Sequence, residues 1–262
     1  AGNIEDSNYV FLPIASYSAQ NIGLAEYVVN HHPGEGTPKV AMYVHPSAFG
    51  REPMEDVKKA VEAGLDMDIV EGVEHGNDLD HTGTLMRWRS KGVQYVITHT
   101  VQSPVASLLK GASNMGLIAQ SFGQEDKITF IGAHYTGGND LVALAGDAAE
   151  NFYWTTSFIT TSEPSAAADA QLALAEKYDR DAKTANSHNY AAGIIVAEIA
   201  TETIKRAKAK DKKVTKETLY EELLAMNGMN ALYSGTVVGP VTYSKDDHQG
   251  VDTLQLYAVK NG

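Results

Sequence analysis

Nine histidines and no cysteine define the side-chain chemistry open to this chain of 262 residues. Imidazole can serve as acid, base or borderline metal ligand, whereas thiolate nucleophiles, disulfides and cysteine-bound zinc are excluded. The densest cluster is Glu74-His75-Gly76-Asn77-Asp78-Leu79-Asp80-His81. Its simplest reading is a polar loop capping a helix at Asp80, so no metal site is assigned. His31-His32 falls at a helix end, where the dipole favours a cation without any ligand role. Ser107-Leu108-Leu109-Lys110 matches S-x-x-K, but it sits inside an amphipathic helix where such a tetrapeptide arises by chance. There is no G-x-S-x-G elbow, and Gly132, Gly137 and Gly138 lack the spacing of a phosphate-cradling loop, so no cofactor is expected.

More telling are residues at the C-terminal ends of expected strands, because ligands of open α/β sheets bind in the crevice there. Four places qualify: His45-Pro46-Ser47-Ala48-Phe49-Gly50, His99-Thr100-Val101-Gln102, Ser121-Phe122 and Ala133-His134-Tyr135-Thr136. Each offers an aromatic or a neutral hydrogen-bonding group, the lining expected of a small-molecule pocket. No carboxylate pair and no nucleophile with its base accompanies them, so binding fits better than catalysis.

The elements that must position these groups follow from hydrophobic period. Tyr9 to Ile14 is a β-prone run, and Ser18 to His31 has helical spacing, ended by Pro33-Gly34. Strand-like Lys39 to His45, Met67 to Val73 and Gln94 to Thr98 alternate with helix-like Pro53 to Gly64, Asp80 to Lys91 and Ser103 to Asn114. Leu117 to Ser121 and Lys127 to Gly132 read as two more strands. The repeated β-then-α order predicts an α/β fold with a doubly wound parallel sheet. The pattern then changes: a short helix over Leu141 to Gly146, a β-prone crossover over Asn151 to Ser157, and helices over Ser165 to Tyr178, Tyr190 to Lys208 and from Thr215. Thr236 to Tyr243 and Thr253 to Val259 close the chain as strands. The basic run Lys205 to Lys213 reads as a solvated helix end.

Lys and Arg number 21 against 33 Asp and Glu, a formal net charge of −12, which opposes binding to a phosphate backbone. No nucleic-acid partner is expected. Apolar runs such as Ala191 to Ala197 are far too short to span a bilayer.

Taken in order, several stretches resemble the type I periplasmic solute-binding proteins of branched-chain amino acid ABC transporters. They are Tyr9-Val10-Phe11 with Leu24 to Val28, Lys39 to Val44 running to Phe49-Gly50, Gln94 to Val96 running to Gly116-Leu117, Phe130-Ile131-Gly132, Leu144 to Glu150, Gly239 to Tyr243 and Asp247 to Val251. The resemblance implies two doubly wound α/β lobes joined by three crossovers and closing on a solute. It divides the chain into a hinge strand (1–13), the second lobe (14–157), the back half of the first lobe (158–250) and a return to the second (251–262). It also implies about 100 further residues of first-lobe strands and helices ahead of Ala1. The first lobe would then be incomplete, with a sheet edge open to self-association.

Carried over position by position, the resemblance makes Phe49 the ring that stacks on the solute, where the family commonly has Tyr before Gly. Ser47 accompanies it; Thr100, Val101 and Gln102 line the solute's side-chain region, and Asn186 stands at the pocket mouth. His134 takes the place of a Glu that pairs with the ammonium of an amino acid, with Tyr135 beside it. An imidazole does not replace a carboxylate as counter-ion to a buried ammonium. The expected solute is therefore an aromatic or aliphatic carboxylate or an amide, captured in the periplasm and handed to permease subunits, with no enzymatic activity. Two other classes stay open: a ligand-sensing receptor module of the same fold, and an α/β enzyme using His45, His99 and His134 as acid–base groups.

Overall fold

The computed structural model describes residues 9–76, 79–230 and 237–260. Two compact units emerge: unit 1 holds Tyr17–Thr156 with the stretch from Leu256, and unit 2 holds the stretch up to Ser16 with Ser157–Gln255.

In unit 1 the apolar runs become strands β1 (Lys39–Val44), β2 (Asp68–Glu74), β3 (Tyr95–His99), β4 (Thr129–Gly132), β5 (Tyr153–Thr156) and β6 (Gln255–Ala258). They form one sheet in the order β2-β1-β3-β4-β5-β6, parallel at each of the pairings β2–β1, β1–β3, β3–β4 and β4–β5. The helices between them are α1 (Tyr17–His31), α2 (Ala48–Glu62), α3 (Thr82–Lys91), α4 (Gln102–Asn114) and α5 (Asn139–Ala145). Parallel strands demand cover on both faces, and β1 shows why its run is apolar from Val40 to Val44. Val40, Met42 and Val44 face a core with Leu24, Ala25 and Val28 of α1, whereas Ala41 and Tyr43 face a second core with Leu85, Trp88, Leu108 and Leu109. The sheet runs outward from β1 in one direction to β2 and in the other to β3. That reversal makes the C-terminal ends of β1 and β3 the topological switch point, where such sheets bind ligands.

Unit 2 contains α6 (Ala166–Lys177), α7 (Ala182–Ala185), α8 (His188–Ala209) and α9 (Lys216–Leu224) around a core of Ile14, Phe158, Ile195, Met226, Val241 and Tyr243. Its β structure is limited, among the described residues, to the isolated bridges Leu12 to Gln249, Phe158 to Val237 and Met229 to Val241. The chain has an α/β fold with a predominantly parallel sheet. Among the described residues, no helix is long and apolar enough to cross a membrane.

Several local expectations are corrected. Tyr9 to Ile14 is irregular apart from the Leu12 bridge, because Pro13 brings no N–H to continue a ladder. Leu117 to Ser121 makes one parallel bridge, Ile118 to Ile128, before the chain turns. Thr236 lies outside the described residues, and Val237 and Val241 each make a single bridge with Gly239-Pro240 between them. Helix α2 begins at Ala48, five residues ahead of Pro53, which sits inside it. The basic run stays at the surface, as expected of a solvated helix end, and adds ion pairs there: Lys210 and Lys212 reach the buried Glu222 carboxylate at 2.6 and 3.2 Å, and Arg206 reaches Glu202 at 2.9 Å.

Helix α9 starts with a reciprocal cap, Thr218 N–H donating to Thr215 Oγ1 (3.3 Å) and Thr215 N–H to Thr218 Oγ1 (2.9 Å). Thr215→Ala is expected to lower stability by about 1 kcal/mol in chemical denaturation.

Candidate functional site

Three strand ends converge at the switch point. Beyond β1, His45 N–H donates to the His99 carbonyl (3.0 Å), and beyond β4, Ala133 N–H donates to the Thr98 carbonyl (3.2 Å). These bonds set the first residues of each loop side by side. The loop after β1 then turns tightly into α2: Ser47 is the N-cap residue, and its hydroxyl lies 2.8 Å from His45 Nδ1. The loop after β4 winds into a 3₁₀ turn over His134–Thr136.

The side chains gathered here are aromatic rings, imidazoles and amides. Phe49 lies 4.6 Å from His99 and 6.1 Å from Tyr135, centroid to centroid, and His134 packs on Tyr135 at 3.9 Å. Tyr17, the first residue of α1, touches all four rings at 5.1 Å (Phe49), 5.1 Å (His99), 6.0 Å (His134) and 5.9 Å (Tyr135). Burial, followed by a hydrogen bond with Tyr135, pushes the Tyr17 phenol well above its ordinary pKa, so it stays protonated and polar without charge.

Two amides on α1 fix the histidines. Gln20 Oε1 accepts from the His134 backbone N–H (3.3 Å) and lies 2.8 Å from His134 Nδ1. That oxygen only accepts, so the His134 ring carries a proton on Nδ1. The Asn21 amide nitrogen donates to the Tyr17 carbonyl (2.8 Å) and lies 2.7 Å from His99 Nδ1. That nitrogen only donates, so His99 Nδ1 holds a lone pair and the ring proton sits on Nε2. Burial first, and the neighbouring His45 second, press the His99 pKa down to about 4. His99 is therefore neutral at ordinary pH.

Of the residues singled out from sequence, Ser47, Phe49, His134 and Tyr135 are brought together. Thr100 is buried directly after His99, Val101 is the exposed N-cap residue of α4, and Gln102 opens that helix. Asn186 belongs to unit 2, where its amide accepts from Thr161 Oγ1 (2.6 Å) and donates to the Ala182 carbonyl (2.6 Å). No group of three or more metal-ligating side chains is found among the described residues, which do not include Asp78.

Sequence reasoning missed Tyr17, Gln20 and Asn21, although a signal was there. Positions 17, 20, 21, 24, 25 and 28 form one stripe of α1, whose later members Leu24, Ala25 and Val28 are core residues. Polar residues that continue a core stripe are held by partners there, and fully buried amides point to a prepared constellation.

A family model described as periplasmic binding protein matches residues 2–262. The chain belongs to that family. A crystal structure of a branched-chain amino acid ABC transporter from Thermus thermophilus with bound valine is 40% identical to this periplasmic binding protein, with a TM-score of 0.84. It is matched over 97% of this chain and 64% of its own. The Pseudomonas aeruginosa leucine-, isoleucine-, valine-, threonine- and alanine-binding protein is 31% identical over 108 residues, 41% of this chain and 26% of that protein. A Streptococcus pneumoniae branched-chain amino acid transporter substrate-binding protein in complex with isoleucine shares the fold at 19% identity and TM-score 0.71, over 99% of this chain and 67% of its own. This periplasmic binding protein thus spans less than two thirds of the Thermus chain and about a quarter of the Pseudomonas protein. The family is one of binding proteins and not of enzymes.

Proposed function

We propose that this chain is the solute-binding component of an ABC importer, working in the periplasm and passing a small organic solute to permease subunits. Unit 1 supplies the solute-contacting wall, built from Ser47, Phe49, His134 and Tyr135 with Thr100, Val101 and Gln102 on the adjoining loop. The observation that carries this reading is the chemistry collected at the switch point. Tyr17, Phe49 and Tyr135 offer ring faces, while His99 offers a hydrogen bond from a ring held by Asn21. This set provides shape and hydrogen bonding but no negative charge of its own. It suits an aromatic or aliphatic carboxylate or an amide, and leaves the ammonium of an amino acid without a counter-ion.

A second reading, a branched-chain amino acid, is favoured by the bound valine of the 40%-identical relative. A thermal-shift screen separates the two. Simple and aromatic carboxylates should raise the melting temperature with increasing concentration. Strong stabilisation by valine, leucine or isoleucine alone would select the second reading, and no response to any of them would remove both. Phe49→Ala should weaken the stabilising solute about tenfold, the loss expected for one stacking ring.

A further inference from the structure

We infer that the Nε2–H of His99, held in that tautomer by Asn21, is the specificity-determining donor of the wall and takes a carbonyl or carboxylate oxygen of the solute. The inference rests on the solute-binding reading above and narrows it to one atom.

His99 ends β3 at the switch point and is almost completely buried (1% exposed), yet its Nε2 has no hydrogen-bond partner. A buried donor left unsatisfied costs about 1–3 kcal/mol, a cost that a bound acceptor would offset. The ring has no freedom to turn and satisfy it. Nδ1 is pinned to the Asn21 amide, and that amide is itself oriented by the Tyr17 carbonyl, so Nε2 projects from the opposite side of the ring. The ring lies against Phe49 at 4.6 Å and Tyr17 at 5.1 Å, both half-buried, so the imidazole packs among the side chains of the wall. The next residue repeats the pattern: Thr100 Oγ1 is also buried without a partner.

A fixed N–H has a chemical preference. It satisfies an oxygen acceptor and meets an ammonium donor to donor, so it discriminates between a carboxylate and an amine at the same position. Asn21 acts as a positioning residue. An aspartate in its place would present an acceptor to Nδ1, draw the ring proton there and turn Nε2 into an acceptor.

The test uses the full chain labelled with ¹⁵N-histidine, with isovalerate, a branched carboxylate without an amine, as the probe. At pH 7 the His99 nitrogens should give the pattern of an Nε2-protonated neutral ring, and isovalerate should shift the Nε2 signal. Asn21→Asp should move the proton to Nδ1 and weaken isovalerate at least tenfold. An Nδ1-protonated ring in the wild type, or an Nε2 signal indifferent to bound isovalerate, overturns the inference while solute binding stands. If neither isovalerate nor valine binds the wild type, the solute-binding reading itself falls, and this inference with it. The wild-type spectrum decides the tautomer even if Asn21→Asp fails to fold.

Discussion

Gly50→Ala is expected to destabilise unit 1 by about 3 kcal/mol, at the upper end of overpacking costs, and to remove solute binding with it. Gly50 is the third residue of α2, buried where the chain folds back on the end of β1. A Cβ there would stand 2.2 Å from the His45 carbonyl oxygen and 2.4 Å from its nitrogen. Neither can yield easily, since both are backbone and the nitrogen is the one bonded to the His99 carbonyl. Relief would require the β1–α2 turn to open, taking His45, Ser47 and Phe49 away from β3. Denaturant titration of the variant beside Gly36→Ala provides the check, because a Cβ at Gly36 meets nothing within 4 Å, although φ is +91° there. If Gly50→Ala is no more destabilising than Gly36→Ala, the tight turn does not hold the site.

The second large effect is a loss of stability in mild acid. His99 has a folded pKa pressed to about 4 by burial and by the nearby His45, against an ordinary 6.5 when unfolded. Between these values the unfolded chain binds a proton that the folded chain refuses. Stability from this residue is therefore complete above pH 6.5 and declines as pH falls toward 4. Converted by linkage, the 2.5-unit difference amounts to about 3 kcal/mol across that window. Asp56 and Glu71, whose carboxyl groups are held below their ordinary range by Lys59 and Arg87, lose their contribution at lower pH. Urea midpoints measured at pH 7 and pH 4.5 should therefore converge in His99→Gln relative to the wild type. Equal acid sensitivity in the two proteins would show that His99 does not titrate as a buried neutral ring.

The parts of the fold legible in sequence are those where burial leaves a one-dimensional trace. Val40 to Val44 and Tyr95 to His99 are buried on both sides because helices cover both faces of the sheet, and their largely apolar runs mark β1 and β3 within a residue. The same holds for α4 and α8, whose core faces keep helical period. Legibility fails where one long-range contact replaces a ladder. Ile118, Val237 and Val241 have strand-like neighbours but pair at single residues, which no local pattern reveals. Pro53 is a different case: proline favours a helix's first turn and so points to a start there, whereas α2 begins at Ala48, ahead of it. At the candidate site, Phe49 and His134 lie just after strand ends, which can be located by counting. Gln20 and Asn21 reach the same place from a helix far away in sequence. Their role depends on α1 lying across β3 and β4, a packing relation rather than a spacing.

The central claim is that this wall recognises an acceptor-bearing solute and supplies no charge for an amine. Calorimetric titration of the chain with valine and with isovalerate, which share one carbon skeleton and differ only in the α-amine, tests it most directly. Isovalerate is expected to bind at least as tightly as valine. Valine binding tenfold or more tightly would contradict the account and return the protein to the branched-chain amino acids.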